Sequence, residues 1–372
     1  MLVRHKWNII SNMGNIFTMS TSTTSLHHAA HNGDIEEVKR LLRSDFLFVN
    51  ELLVNEIDRK YGATPLYLAA KQGHHQVVEL LLAQRGVDVN KANKDDFTSL
   101  YAAASRGHCR VVELLLEKDG ININQRNKDG YAPLIVAAWW GRDRVVELLL
   151  KKDGIDINQG PKNGCTPLVV AAQEGHEKVV KLLLGAEGIK VNQEAKSGET
   201  PLFMAAQNGH EKVVKLLLGK EGINVNQTRS NCETPLLMAI YKGHETVAEL
   251  LLRKEGIQVN LANNNGATPL YCAAGQGDHK VVELLLSKDD IQVNLAYNDG
   301  ATPLLIAAHE GHHRVVDLLL NTNDIKVNQA MNMGGTPLLF ATKNGHNKVI
   351  KSLLRKDGIL GLMMLCMVKK CK

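Results

Sequence analysis

The sequence is poor in the residues that mark several classes of protein. Aromatic residues make up 4% of its 372 positions, and the formal net charge of +5 is small for this length. The six cysteines form neither a CxxC pair nor a metal-binding spacing, and no apolar run reaches the roughly 20 residues of a membrane span. These absences argue against a disulfide scaffold, a zinc fold, a membrane-spanning protein and a strongly basic nucleic-acid binder. We therefore expect free thiols in a reducing compartment, the cytoplasm or the nucleus.

Proline is also scarce, but eight of the nine prolines fall at one point of a unit that occurs ten times. The unit opens at positions 24, 64, 98, 132, 166, 200, 234, 268, 302 and 336, so its period is 34 residues after a first step of 40. Leu two residues later, Ala five residues later and Gly nine residues later are present in every copy. A period of this size predicts stacked supersecondary units that contact only their neighbours.

Each copy predicts a pair of short helices. The opening Thr is a good helix N-cap, and the Pro that follows suits the first helical residue. The Gly nine residues later fits a left-handed helix end. Val-Val-x-Leu-Leu-Leu then predicts a second helix with a wide apolar stripe, ended by a second Gly that is replaced by Asp290 and Asp324 in two late copies. An Ile-x-Val-Asn stretch and an Asn-Gly or Asp-Gly tip predict a short hairpin before the next copy.

The sequence Thr-Pro-Leu-x-x-Ala-Ala, Gly-His, Leu-Leu-Leu and Val-Asn resembles the ankyrin repeat, at one residue over the usual period of about 33. The resemblance covers residues 24–358. It implies an all-α solenoid of helix pairs with short β-hairpin loops. It also implies that a protein partner binds the concave face, which is made of hairpin tips and the ends of the first helices. The sequence departs from the family at the His three residues after the Thr, which only His27 keeps.

The repeats divide the chain into three segments. We predict that residues 1–23 are a disordered leader, and one alternative is an organelle-targeting segment. A second alternative is N-myristoylation of Gly14, which requires translation to begin at Met13. Residues 24–358 form the ten repeats, with a longer loop at 44–55 between the first two. Residues 359–372 form an apolar and basic tail.

The positions that the fold leaves free are candidates for partner binding. They lie seven and eight residues after the opening position, and one to four residues before it. Trp139 and Trp140 occupy the first two of these sites in repeat four, and Phe97 and Tyr131 lie on neighbouring tips. Because aromatic residues are enriched at interface hot spots, we expect them to be exposed anchors. The alternative is that one tryptophan packs sideways against a neighbouring repeat.

The predicted partner-binding residues combine these aromatic anchors with polar helix ends. They are Phe97, Arg106, Tyr131, Trp139, Trp140, Gln173, Glu174 and Tyr241.

A second hypothesis rests on the lysines that occupy one tip position in five successive repeats. They could form a basic ladder that binds nucleic acid or another polyanion. The alternative is an ordinary solvated tip, because Asp95 and Asp129 adjoin two of the lysines and the net charge is modest. We favour the solvated tip. The five residues are Lys60, Lys94, Lys128, Lys162 and Lys196.

One stretch imitates a catalytic motif. His309-Glu310-Gly311-His312-His313 matches H-E-x-x-H, which binds zinc only on a continuous helix, whereas Gly311 is the predicted helix terminator. We predict that the seven His residues that follow a repeat Gly make hydrogen bonds in turns. No catalytic, metal or cofactor site is predicted. The sequence therefore predicts a monomeric, non-catalytic scaffold or adaptor that binds another protein.

Overall fold

The computed structural model describes residues 25–42 and 53–356. Twenty helices make up its regular structure, and no strand occurs within those two ranges. The chain divides into two compact units between Lys128 and Asp129. The predicted leader, most of the longer loop at 44–55 and the predicted tail lie outside the described residues.

The first unit contains three helix pairs. The odd-numbered helices pack against one another in sequence, and so do the even-numbered helices, which gives two layers. The helices are α1 (Ser25–Asn32), α2 (Ile35–Leu41), α3 (Pro65–Gln72), α4 (His75–Leu82), α5 (Ser99–Arg106) and α6 (Cys109–Leu116).

The second unit contains seven pairs on the same plan, again with odd-numbered and even-numbered layers. The helices are α7 (Pro133–Trp139), α8 (Asp143–Leu150), α9 (Pro167–Glu174), α10 (Glu177–Gly185), α11 (Pro201–Gln207), α12 (Glu211–Leu218), α13 (Pro235–Tyr241), α14 (Glu245–Leu252), α15 (Pro269–Gln276), α16 (His279–Leu286), α17 (Pro303–Glu310), α18 (His313–Leu320), α19 (Pro337–Lys343) and α20 (Asn347–Lys356).

The predicted Thr caps are confirmed. In eight odd-numbered helices the Thr hydroxyl accepts the backbone N–H three residues later, at 3.1–3.3 Å, and such a cap contributes about 1 kcal/mol. Repeat four has Ala132 at this position and lacks the bond. The capping residues are Thr64, Thr98, Thr166, Thr200, Thr234, Thr268, Thr302 and Thr336.

The Gly at the end of the first helix is required for two reasons. In all ten copies its φ is positive, between 64° and 85°, which L side chains rarely adopt. In seven copies the histidine of the next repeat also occupies the space that a side chain would need. At Gly73, for example, an added Cβ would lie 2.7 Å from Nδ1 of His108.

The second Gly of repeats two to seven also has a positive φ, but the two Asp residues that replace it in repeats eight and nine do not. Among the described residues other than glycine, only Asp96 and Cys232 have a positive φ. Asp290 and Asp324 therefore make this turn with ordinary backbone angles. The substitution is tolerated because the turn does not depend on the left-handed conformation.

The core lies between the two helical layers. In α4, Val77, Val78 and Leu81 are fully buried, and they belong to the predicted apolar stripe. Ala69 and Ala70 of α3 are also fully buried, and their small side chains let neighbouring odd-numbered helices approach closely. Burial of each Val or Leu contributes about 1.5–3 kcal/mol.

The connections between repeats are hydrogen-bonded turns. At one tip the N–H of Asn93 donates to the carbonyl of Phe97 at 3.0 Å, as in a hairpin. Neighbouring tips are joined by single bonds, such as Lys94 N–H to the Tyr61 carbonyl at 2.9 Å and Lys196 N–H to the Asn163 carbonyl at 2.8 Å. One bond per neighbour is too few to build a ladder of strands.

Candidate functional site

We call the surface made by the turn tips and the C-terminal ends of the odd-numbered helices the loop face. In each repeat it contains the residues one to four before the opening position and those seven and eight after it. It includes every predicted partner-binding residue.

Histidines fix the backbone of the loop face. In seven repeats the ring Nε2–H of the His after the first Gly donates to the carbonyl seven residues after the opening position of the preceding repeat. The distances are 2.8–3.1 Å. This confirms the prediction that these histidines are turn hydrogen-bonders. They are His74, His108, His176, His210, His244, His312 and His346.

Asparagines fix the connections at the other end of each repeat. Nδ2 of Asn90 donates to the Gly120 carbonyl at 2.7 Å, and Oδ1 of the same side chain accepts the N–H of Asn122 at 2.8 Å. The same pair of bonds recurs at Asn55, Asn158, Asn192, Asn226, Asn260 and Asn294. Sequence reasoning missed this role, although the recurring Val-Asn pair was its signal.

In the first unit the predicted anchors are partly covered. Phe97 is half-buried, and its ring lies 4.8 Å from that of Tyr101. Arg106 ends α5 and is also half-buried. Both side chains therefore present only part of their surface to a partner.

In the second unit the predicted exposure is wrong for two of the aromatic residues. Trp139 is 2% exposed and Tyr131 is 3% exposed. The two rings pack together with centroids 5.5 Å apart, because the Tyr131 tip folds over the end of α7. Trp140, the next residue, is half-buried and keeps part of its ring accessible. One of the two tryptophans is therefore packed rather than exposed, and its ring contacts the tip just before its own helix.

The remaining predicted residues lie further along the second unit. Gln173 and Glu174 end α9, are half-buried, and are joined by a 3.1 Å bond from Nε2 of Gln173 to Oε1 of Glu174. Tyr241 ends α13 and is 60% exposed, with the ammonium of Lys242 lying 5.4 Å from its ring centre. Tyr241 is thus the most accessible of the predicted anchors.

A basic cluster in the first unit was not predicted. Lys71 lies seven residues after the opening of repeat two, yet it is only 4% exposed. Burial, and then the positive charge of Arg106, lower the pKa of Lys71 to about 8. The pKa of His31 is lowered as well, by burial and then by Lys71. The cluster could not be read from the sequence, because Lys at this position also occurs at the exposed Lys343.

Comparison with known families gives a consistent result. A family model described as ankyrin repeats (3 copies) matches residues 5–93, 85–161, 159–229, 225–297 and 290–360. The chain belongs to the ankyrin repeat family. Such repeats are in general protein–protein interaction modules.

Two curated plant proteins are similar to part of this ankyrin repeat chain. One is the E3 ubiquitin-protein ligase XBAT32 of Arabidopsis thaliana, at 39% identity over 84 residues, and the other is the probable E3 ubiquitin-protein ligase XBOS32 of Oryza sativa subsp. japonica, at 38%. Each match covers 23% of this chain. It spans only 15% and 16% of the length of the two ligases.

The tip lysines of the ankyrin repeats are all exposed, as the basic-ladder hypothesis requires. Two of them, however, are directed at neighbouring groups. The Lys94 ammonium donates to the carbonyls of Arg59 and Lys60 at 2.6 and 3.1 Å, and that of Lys128 lies 3.9 Å from Oδ1 of Asp95. The Asp95 contact offsets one charge of the ladder in the first unit, whereas the carbonyl bonds only restrain the Lys94 ammonium.

A groove of about 1040 Å³ lies on the opposite surface, between α8 and α10. In other ankyrin repeats a lysine spans this position, as when Lys220 donates to the Leu184 carbonyl at 2.8 Å. Ala186 replaces that lysine here and leaves the groove open. Several charged residues of its rim are paired, with Arg144 and Lys151 each 2.7 Å from Glu147.

The continuous helix that the H-E-x-x-H zinc motif requires is interrupted, as predicted. α17 ends at Glu310, Gly311 has a φ of 81°, and α18 begins at His313, so the two motif histidines lie on different helices. No group of three or more possible metal ligands occurs in residues 25–42 and 53–356. Within the same ranges, none of the helices is long and apolar enough to cross a bilayer.

Proposed function

We propose that this ankyrin repeat protein is a non-catalytic scaffold or adaptor that binds a protein partner through the loop face. This is the face that the family resemblance implies to be concave. The observation that carries the proposal is the exposure of Tyr241, an aromatic side chain 60% open to solvent at a position that does not support the core. Exposed aromatic residues are typical anchors of protein interfaces.

The proposed contact residues are those with accessible surface. In the first unit they are Phe97 and Arg106, and in the second unit they are Trp140, Gln173, Glu174 and Tyr241. Trp139 and Tyr131 are given a different role, because their buried rings hold the end of α7 beneath Trp140. Since helix ends and hydrogen-bonded turns carry the site, little ordering should be needed when a partner binds, which favours affinity.

The ligase activity named for the two plant relatives is not carried over. The matched segment covers 15–16% of those proteins and falls within ankyrin repeats of this chain. The monomeric state and the cytoplasmic or nuclear location remain predictions.

Site-specific photo-crosslinking tests the proposal. Benzoylphenylalanine would replace Trp140 or Tyr241, and Lys212, an α12 residue with a side chain 78% exposed, serves as the matched control. We expect the same partner to be crosslinked in native lysate from positions 140 and 241 but not from 212. Adducts from position 212 alone, or equally from all three, would show that the partner does not use the loop face.

A further inference from the structure

His31, Lys71 and Arg106 belong to the loop face of the first unit, and the buried Tyr67 lies in the core beside this part of it. Tyr67 and Lys71 lie one turn apart on α3, so they project from the same side of that helix. Arg106 ends α5, which packs against α3, and His31 lies near the end of α1, which packs against α3 from the other side. Gln72 links α3 to α1 through a 3.4 Å contact between its Nε2 and Nδ1 of His31.

Among residues 25–42 and 53–356, no carboxylate forms an ion pair with the positive charges of this cluster. Within the described residues, the Lys71 ammonium and the Arg106 guanidinium form neither an ion pair nor a side-chain hydrogen bond. Nε of Arg106 is inaccessible to solvent and lacks an acceptor. Lys71 is 4% exposed, and such a buried cation normally requires a partner. The buried Lys71 side chain and Nε of the half-buried Arg106 therefore lack an acceptor among the described residues.

The nearest carboxylates are engaged elsewhere. The Asp58 side chain accepts the backbone N–H groups of Lys60, Tyr61 and Ala63 at 2.6–2.8 Å. Asp95 lies 3.9 Å from the ammonium of Lys128. Neither carboxylate forms an ion pair with Lys71 or Arg106.

We propose that Lys71, Arg106 and the Tyr67 hydroxyl form a binding site for one acidic side chain of the protein partner. A carboxylate would accept from the guanidinium, the ammonium and the hydroxyl, which is the acceptor that the cluster lacks. The site deepens the proposed function and rests on it, because the carboxylate is taken to belong to a protein segment on the loop face. The sequence places no comparable pair of cations at positions seven and eight of adjacent repeats in the second unit.

The test uses a fluorescein-labelled peptide of six glutamates, with a peptide of six glutamines as the neutral control. Binding to the full chain is followed by fluorescence anisotropy in 0.15 M salt, where distant surface charges are screened. The variants are Lys71→Met and Arg106→Gln. Their matched controls, Lys343→Met and Lys242→Gln, lie seven and eight residues after the opening position in other repeats, where both lysines are exposed.

We expect the glutamate peptide to bind the wild type. Lys71→Met or Arg106→Gln should weaken that binding about tenfold to a hundredfold, because each removes a hydrogen bond to a charged group. The control variants should stay within about twofold of the wild type. Lys71→Met should fold normally, since it removes an uncompensated buried charge, and circular dichroism checks this.

The affinity should also fall as the pH rises through about 8, where Lys71 loses its proton, and this fall should be absent in Lys71→Met. The other titratable groups around Lys71 and its neighbour His31 are Tyr67 on α3, His28 on α1, His74 before α4, and Arg106 on α5. Because Lys71→Met removes only Lys71 from this set, the difference between the two pH profiles reports Lys71.

The outcomes separate this proposal from the function on which it rests. The acidic site is overturned if the glutamate peptide fails to bind, if it binds wild type and Lys71→Met equally, or if the glutamine peptide binds as well. It is also overturned if inorganic phosphate displaces the peptide at lower concentration than free glutamate does, because the ligand is then a phosphate. If crosslinks from Trp140 and Tyr241 persist in Lys71→Met while the peptide tests fail, only the acidic site is lost.

Discussion

Repeats four and seven carry an aromatic residue at the same point of the ankyrin repeat, and only one of the two is buried. Trp139 is 2% exposed, whereas Tyr241 is 60% exposed. The residue just before the helix cap differs, being Tyr131 in repeat four and Glu233 in repeat seven. Tyr131 covers Trp139, while the Glu233 carboxylate is turned to Nε of Arg229 at 2.7 Å. In addition, the repeat after Tyr241 offers Gly275, which has no side chain to cover the ring.

This comparison shows that the position within the repeat does not by itself decide exposure on the loop face. The side chains that flank the position decide it. Buried and exposed anchors should therefore respond differently to mutation, and repeats four and seven provide matched pairs for that test.

The largest expected difference is between the two aromatic residues themselves. Trp139→Ala should lower the free energy of unfolding by about 3–5 kcal/mol, because it leaves a cavity under the end of α7. Tyr241→Ala should change it by about 0.5 kcal/mol or less, as for other exposed residues. Urea unfolding followed by circular dichroism measures both, and equal losses would contradict the difference in packing.

The helix-ending glycines give the next largest difference. A Cβ at Gly141 would lie 2.7 Å from Nδ1 of His176, whereas a Cβ at Gly243 would meet nothing within 4 Å. Gly243→Ala should lower the free energy of unfolding by about 1–2 kcal/mol, because it places a Cβ on a left-handed backbone. Gly141→Ala should cost about 1 kcal/mol more, because it displaces the ring that bonds to the Trp139 carbonyl. The same unfolding assay applies, and an equal cost for both would indicate that the ring moves aside freely.

The helix caps should show a smaller effect with opposite signs. Ala132 and Thr234 precede their helices with nearly the same backbone angles. Both residues have a φ of −90°, and ψ is 165° at Ala132 and 162° at Thr234. Ala132→Thr should therefore stabilise repeat four by about 1 kcal/mol, and Thr234→Ala should destabilise repeat seven by about the same amount. A loss of stability in Ala132→Thr would mean that the new methyl group does not fit.

The cysteines near the two repeats should differ in reactivity rather than in stability. Burial, and then the charge of Glu199, raise the pKa of the Cys165 thiol to about 11, whereas Cys232 lies exposed on the tip before α13. At pH 8 only about one in a thousand Cys165 thiols is ionised. Iodoacetamide should therefore modify Cys232 well before Cys165, and the rate at Cys165 should rise about tenfold per pH unit up to 11. Mass spectrometry of peptides at timed intervals measures both rates.

The regular part of the fold could be predicted because it depends on local chemistry. Thr caps, proline at the first helical residue, and glycine at the helix end each act within a few residues of sequence, and all were confirmed. The Gly311 break was predicted for the same reason.

The exposure of the candidate site could not be predicted in the same way. Trp139 is covered by a tip eight residues earlier, and Lys71 lies among residues from three repeats. The asparagine bonds were missed because each joins groups about 30 residues apart. A single repeat contains only one side of each of these contacts, so its sequence alone does not indicate them.

The asparagine bonds also imply how the length of such a chain can change. Each Asn reaches forward to a carbonyl 30 or 31 residues away and to an N–H 32 or 33 residues away. Six of the seven turn His residues reach back 37 residues, and His74 reaches back 43 across the longer first step. Removal of 34 consecutive residues would bring an equivalent acceptor to every donor, whereas removal of 33 would leave each donor one residue out of step. Duplication or loss of genetic material would thus be tolerated in whole multiples of 34 codons.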